Sequence, residues 1–468
     1  MKDSANYWIG EAADAGDLLG SEAWIAEFNR LALAHDPHLV NLAAYPSQRG
    51  RDEVERLITG LSRPASTALH FPDGKPLTVT DYDRYQASLA LGAIPETVTV
   101  RFGLVLERTD MRTWPNTDRV FRTPETADLD RFLENGLFPG DAVAILHASA
   151  DGDWLFVQSY NYSAWVRREA IALAPREAVR AYRDAEPYLV ITGAQVDAAF
   201  EPPDDAVPDR KLDMGVRLPL ADPQRAAADG AFRVRLPVAR EGRFAVGTAR
   251  IAPDADVRVG HLPYTRENLV RQAFKFLGEP YGWGHSLNAR DCSGMILEVF
   301  KSVGIRLPRN SAQQGGSPIG RTVRFAADTT AGDKLAALAA ARPGDLLYAD
   351  GHVMLKAHIA DVGQQVLEAV DLHHAVAAEP DLADAVFALG LLRQLDGDEV
   401  FDSLGYVLAF DLAVAQVTET DNDVVAVVLP RHCVNGTLLA AAWPKSSRRA
   451  RLIVCCGCLL ESPARKGP

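Results

Sequence analysis

In the stretch YGWGHSLNARDCSGMILEVF, Tyr281 to Phe300, Cys292 follows an Asp and precedes Ser-Gly at the start of an apolar pattern. Met295, Ile296, Val299, Phe300 and Val303 recur at helical spacing until Gly304. A cysteine in the first turn of a helix meets free backbone N–H groups and the positive end of the helix dipole, both of which favour thiolate, the nucleophilic form. Gly294 leaves the approach open, and an N–H of that turn is suited to one side of an oxyanion hole. The competing reading is an inert, small hydrophobic cysteine. A thiol nucleophile requires a base. His352, in PGDLLYADGHVML, follows Gly351 at the head of an apolar strand and is the best placed imidazole; by itself it reads equally as a satisfied core or edge histidine. A third group to orient that imidazole belongs on the following strand, QVLEAVDLHHA, where Glu368, Asp371, His373 and His374 are the choices and spacing does not decide. Glu368 is as readily a solvent-facing strand carboxylate.

These residues need a scaffold, and the chain is long enough for several. Its 468 residues predict three or four compact units, and an apolar content of 47% with 24% charged residues is that of a globular protein. The net charge of −13 disfavours nucleic acid or anionic lipid as the main partner. Five cysteines, none before Cys292, exclude a disulfide framework. The triplet Cys455, Cys456 and Cys458 lacks a second ligand pair, so no metal and no cofactor is expected. No run is long enough for a membrane-spanning helix. The first residues contain no apolar leader, which places the chain as written in the cytoplasm, or in the periplasm and cell envelope if a leader has been removed.

Texture divides the chain. Residues 1–95 read as a helical packing segment, with Ser21 as an N-cap and Trp24, Ile25, Phe28, Leu31 and Leu33 on one face. Short alternating strands with turn signals such as Pro139-Gly140 predict a small β-barrel over 96–175, and a second set predicts another over 187–262. From 265 to 414 helices precede strands, the order of an α+β cysteine hydrolase, with Thr265 or Asn268 capping the first helix. Residues 415–468 form a basic, cysteine-containing tail with no clear element, compatible with disorder.

PYGWG, RDCSG, LPRNSAQQG and GHVML together resemble the papain-like NlpC/P60 cysteine peptidases, bacterial enzymes that cut cell-wall peptides. RFGLVLERTDMRTWP through YNYSAWV resembles the first bacterial SH3 domain of the subfamily that carries two. GVRLPL through VGHLPYTRENLVRQAFKFLGEPYGW is similar to the second of these domains and its junction, and SEAWIAEFNR to the N-terminal stabilising segment. The resemblance implies two SH3-like barrels followed by a papain-like α+β domain, and hydrolysis of the γ-D-glutamyl–diamino acid bond in murein peptides with a free N-terminal L-alanine. On it Cys292 matches the nucleophile, His352 the base and Tyr281 the hydroxyl that assists the oxyanion. Asp291 and Ser293, which flank the nucleophile, and Arg309 join Asn310 and Ser311 as substrate contacts, the last two matching the segment that helps bind the amine and backbone of the L-alanine; locally, Asp291 reads equally as a helix cap and 309–311 as a polar loop. Tyr160 or Tyr162 is the kind of residue that closes one end of the groove, or a barrel-surface aromatic.

After GHVML the family pattern breaks. Lys356, Ala357 and His358 replace Tyr-apolar-Gly, and aligning VLEA with the family's apolar-apolar-His-Ala puts Glu368 at the third catalytic position. A longer hairpin puts His373 there instead. Two alternatives stay open: a murein-binding protein with a decayed site, and a thiol amidase or acyltransferase on the same scaffold, which has no need of an ammonium pocket. Oligomeric state is not legible.

Overall fold

The computed structural model describes residues 4–10, 14–123, 129–203, 207–221, 229–326 and 328–357, together with the strands Leu412–Thr420, Asp423–Pro430, Leu438–Ala440 and Arg449–Cys455. The chain divides into two units, Met1–Thr322 with Pro343–His358, and Val323–Arg342 with Ile359–Pro468.

The first unit opens with helices Ala5–Ile9, Glu22–His35, Arg51–Leu61 and Val79–Ser88. Ser21 caps Glu22–His35 by accepting the Trp24 N–H at 3.2 Å. Trp24 is 44% exposed and stacks on Phe28 and Tyr264 instead of entering a core as the helical periodicity suggests. Val54 and Ile58, on Arg51–Leu61, are completely buried in a cluster that continues into the β structure through Trp114, Phe156 and Trp165. A buried relay ties that seam: the Trp165 indole donates to the Ser62 hydroxyl at 3.0 Å, which donates to the Thr113 carbonyl at 2.6 Å.

Seven antiparallel strands follow in the order Ile171–Ala174, Arg101–Val105, Ala142–Ala148, Trp154–Gln158, Ser163–Arg167, Thr109–Arg112 and Leu133–Leu137. Their β-branched and aromatic residues fill two apolar clusters, one around Leu155, Val157 and Val166, the other the seam with the helices. A second set of strands has its own cluster around Leu189, Leu212, Leu236 and Ile251. These strands divide between a three-stranded sheet and an extension of the first sheet, reached by one parallel pairing of Leu173 with Arg243.

Helices Arg266–Phe274 and Cys292–Ser302 then share an apolar cluster of Leu269, Ile296, Val299 and Phe300 with Val353 of the hairpin Leu346–Ala349 and His352–Leu355. Thr265 caps the first of these helices, accepting the Asn268 N–H at 3.1 Å. Among the described residues no helix is long and apolar enough to cross a membrane.

In the second unit, helix Ala331–Ala340 is capped by Thr330. Where the sequence showed no clear element after residue 415, the chain forms a four-stranded sheet in the order Leu412–Thr420, Asp423–Pro430, Arg449–Cys455, Leu438–Ala440. Valine-rich runs such as VVAVVL carry strand propensity that the basic composition obscures.

Candidate active site

Cys292 is the first residue of its helix because Asp291 is the cap: an extended residue whose Oδ1 accepts the Gly294 N–H at 2.7 Å. The polypeptide leading into it is held by a bridge between Tyr281 and Arg290 and by the Gly282 N–H on the Arg290 carbonyl, 2.9 Å. Gly282 is obligatory, since a Cβ there would sit 2.4 Å from the Ser286 carbonyl oxygen. This loop brings the Tyr281 hydroxyl to 3.9 Å from Cys292 Sγ, toward which it donates.

On the other side lies the His352–Leu355 strand. Gly351 turns at φ +71°, and His352 pairs with Ala349 at the head of the hairpin, 4% exposed. The backbone of the next residue, Val353, hydrogen-bonds the Cys292 sulfur. Thus thiol, phenol and the start of the imidazole-bearing strand converge. Glu368 and His373, the two choices for the third catalytic group, lie outside the described residues, as does His358.

The thiol differs from the expectation that a helix start lowers its pKa. Burial first, and then the Asp291 carboxylate, push Cys292 up to about 11, against the pull of the Val353 N–H, the Tyr281 hydroxyl and Arg309. A cysteine so placed rests as a thiol and must surrender its proton as it attacks. Burial and the neighbouring sulfur also hold the Tyr281 phenol well above its ordinary value, so it remains a donor.

Asp291 and Arg309 meet each other. Arg309, 2% exposed, donates to both Asp291 oxygens at 3.1 and 2.5 Å, to Ser293 Oγ at 2.8 Å and to Asn135 of the first β unit. The Gly284 N–H and the Ser293 hydroxyl complete the set around the carboxylate at 3.0 and 3.3 Å. Burial alone would raise the Asp291 pKa; Arg309 outweighs it and brings the group to about 2. With its oxygens so occupied, Asp291 is built into the helix start. Asn310 precedes the short helix Ser311–Gly316, its N–H on Gln313 Oε1 at 3.2 Å, and Ser311 is buried.

Tyr162 is half-buried and donates to Glu134 Oε2 at 2.5 Å; Asn310 approaches the same phenol oxygen. Burial, followed by Glu134, raises the Tyr162 pKa. Glu134 also accepts from Thr113 at 2.5 Å. Sequence reasoning missed this half-buried carboxylate: nothing in LENGL marks it, and it reaches the site only because Leu133–Leu137 packs on the 283–288 loop, where the Trp283 indole donates to the Leu133 carbonyl at 3.0 Å.

It also missed the charged network behind Cys292. Arg290 donates to Glu298 at 2.7 Å, Glu279 at 2.8 and 3.0 Å, Asp213 at 2.8 Å and the Ala194 carbonyl at 2.7 Å. Arg108 binds the same Asp213 and the carbonyls of His285 and Ala289 at 2.8 and 2.7 Å. Asp213 belongs to the second β unit, so both β units are anchored to the loop that carries Cys292. His285 lies in that loop at φ +72°, fully enclosed, with its ring against Gly294 and Gly136.

Residues 278–379 match the family model NlpC/P60, and residues 119–167 match that of an SH3 domain of SH3b1 type. Over 53 residues the chain is 40% identical to a bifunctional muramidase/DL-endopeptidase, CwlT, of Bacillus subtilis strain 168, a match covering 11% of this chain and 16% of that protein. Over 88 residues it is 35% identical to a probable endopeptidase of Corynebacterium glutamicum strain R, covering 18% of this chain and 39% of the relative. The chain therefore spans well under half of either relative. An NlpC/P60 endopeptidase from Photobacterium damselae subsp. piscicida has a similar fold, with a TM-score of 0.53 at 17% identity over 66% of this chain and 69% of that one.

Proposed function

With an NlpC/P60 domain and an SH3b domain in the chain, we propose that it is a cell-wall peptide hydrolase that cuts the γ-D-glutamyl–L-diamino acid bond of short murein peptides with a free N-terminal L-alanine. The observation that carries this reading is the convergence on Cys292 Sγ of the Tyr281 hydroxyl and the Val353 N–H, with His352 the neighbouring residue on the same strand. As the sulfur attacks the γ-glutamyl carbonyl carbon, its proton passes to the His352 imidazole. The tetrahedral oxyanion is met by the Tyr281 hydroxyl and an N–H of the helix start. Collapse breaks the C–N bond, His352 returns the proton to the leaving amine, and a thioester remains on Cys292. Water activated by His352 then releases the dipeptide and the thiol. A third group, Glu368 or His373, orients the imidazole.

Substrate choice falls to the residues between the β unit and the helix start. Glu134, held by Tyr162 and Thr113, supplies the carboxylate for the alanine ammonium, and Tyr162 closes the groove. Asn310 and Ser311 border the peptide backbone. Asp291, Ser293 and Arg309 position the first turn, because their polar atoms already bond one another.

The test is mass spectrometry of L-Ala-γ-D-Glu-diaminopimelate incubated with the protein and with Cys292→Ala. Release of L-Ala-γ-D-Glu by the wild type alone is expected. No cleavage by either protein, together with retained binding of the tripeptide, overturns the hydrolase reading in favour of a murein-binding protein. Undiminished turnover of an N-acetylated tripeptide points instead to an amidase without an ammonium pocket.

A further inference from the structure

The N-terminal helix Glu22–His35 holds the polypeptide beyond the end of the Cys292 helix at two points. Helix Cys292–Ser302 stops at Val303, and Gly304 with φ +88° turns the chain away, leaving terminal carbonyls in need of donors. The Asn29 side chain meets this turn with both halves of its amide: Nδ2 donates to the Gly304 carbonyl at 2.8 Å, and Oδ1 accepts the Arg306 N–H at 2.9 Å. Two helical turns further on, about 10 Å along the axis, Asp36 Oδ2 accepts the Ser317 hydroxyl at 2.6 Å and Oδ1 accepts the His38 N–H at 2.9 Å. Asp36 is a poor choice for the local structure. Its N–H closes the helix on the Ala32 carbonyl, which sets a carboxylate at the negative end of the helix dipole, and only 3% of the residue is exposed. The His38 N–H and the Ser317 hydroxyl, the latter remote in sequence, offset that cost.

Between these two points runs the segment 307–316. Its Leu307 carbonyl accepts from Asn161 Nδ2 of the first β unit at 3.4 Å. Arg309 is fixed by its own bonds to Asp291, Ser293 and Asn135. The residues after it are tied to the Cys292 helix more loosely: Gln314 Nε2 reaches the Ser293 carbonyl at 3.4 Å, while its bond to the Pro308 carbonyl at 2.9 Å and that of the Asn310 N–H to Gln313 stay within the segment. The placement of Asn310 and Ser311 therefore depends on where the ends of the segment are held.

We propose that Asn29 and Asp36 are positioning residues for substrate binding: one helix of the N-terminal segment holds both ends of 304–317 and thereby sets Asn310 and Ser311 against the substrate. The inference rests on the reading of those two residues as murein-peptide contacts. Because Asn29 bonds main-chain atoms on both sides, its effect does not depend on the side chains at 304 and 306. Because Arg309 keeps its own bonds, loosening either end weakens substrate binding and leaves the acidity of Cys292 unchanged. A contribution to global stability alone would instead lower the folded fraction, which reduces the apparent kcat and leaves KM where it is.

The test compares the full-length wild type with Asn29→Ala, Ser317→Ala and Ser317→Thr, and with Arg30→Ala as a control on the same helix, since Arg30 is exposed and pairs with Glu27. On L-Ala-γ-D-Glu-diaminopimelate both alanine variants should raise KM about three- to tenfold, the value of one hydrogen bond, with kcat within about twofold. Ser317→Thr, which keeps the hydroxyl, and Arg30→Ala should match the wild type. The pH midpoint of iodoacetamide alkylation of Cys292 should not move, and amide hydrogen exchange in 307–316 should quicken about tenfold in the alanine variants. Unchanged exchange there overturns the proposal whatever the substrate is. Faster exchange with an unchanged KM overturns the positioning role, as does a fall in kcat at constant KM or a shifted alkylation midpoint. If the wild type binds the tripeptide without cleaving it, the peptidase reading fails and the same comparison is read on the dissociation constant by calorimetry, where a three- to tenfold loss of about the same size supports the positioning role. Absence of both cleavage and binding overturns the two together.

Discussion

Replacing Asp291 by Asn should move the stability of the protein and the acidity of its thiol in opposite senses. The asparagine keeps an oxygen for the Gly294 N–H but removes the charge that Arg309 binds at 2.5 and 3.1 Å. In the folded protein the Asp291 pKa falls to about 2 from an ordinary 3.8. That difference contributes about 2 kcal/mol of stability at neutral pH. Because the folded value is depressed, the contribution is complete above about pH 4 and disappears as pH falls through about 2. The substitution removes it at every pH and leaves a buried guanidinium unpaired, for a total loss of about 3–5 kcal/mol. The thiol responds the other way. Asp291 is the chief charge holding Cys292 up to about 11, and Arg309 then acts on the sulfur unopposed, so the thiol pKa should drop by about one to two units. The assays are urea unfolding followed by tryptophan fluorescence, and the pH dependence of iodoacetamide alkylation under conditions where circular dichroism shows the variant folded. An alkylation midpoint that stays near 11 or rises refutes the electrostatic account of the thiol. A urea midpoint equal to the wild type's refutes the account of the ion pair.

Glu134→Gln should raise KM for the free-amine tripeptide about 10- to 100-fold, the value of one charge-assisted contact, while leaving the weak turnover of its N-acetylated form unchanged; steady-state kinetics on both substrates check this. Gly294→Ala places a Cβ 2.7 Å from His285 Cε1 and should destabilise by about 1–3 kcal/mol, with part of the loss recovered when His285→Gly is added, as read by thermal melting. Ser62→Ala strands the buried Trp165 N–H and should cost about 1–3 kcal/mol in a urea titration, with no change in the alkylation profile of Cys292.

What the sequence by itself determined about this protein is local. A cap followed by periodic apolar residues is written over a few positions, so Ser21, Thr265 and the helix beginning at Cys292 were legible, as was the strand that opens with His352 after Gly351. The motifs on those elements pointed to the NlpC/P60 domain for the same reason: the groups nearest the thiol lie within short runs of chain. Only the tertiary structure decided the rest. Glu134 and Asp213 lie on strands far along the chain from the loop they serve, and ordinary strand composition does not reveal which carboxylate faces a neighbour. Helix position alone argued for a thiolate, but pKa is set by everything around the sulfur, and burial together with Asp291 outweighs the helix start. The Asp291–Arg309 pair likewise turned two residues read as substrate contacts toward each other.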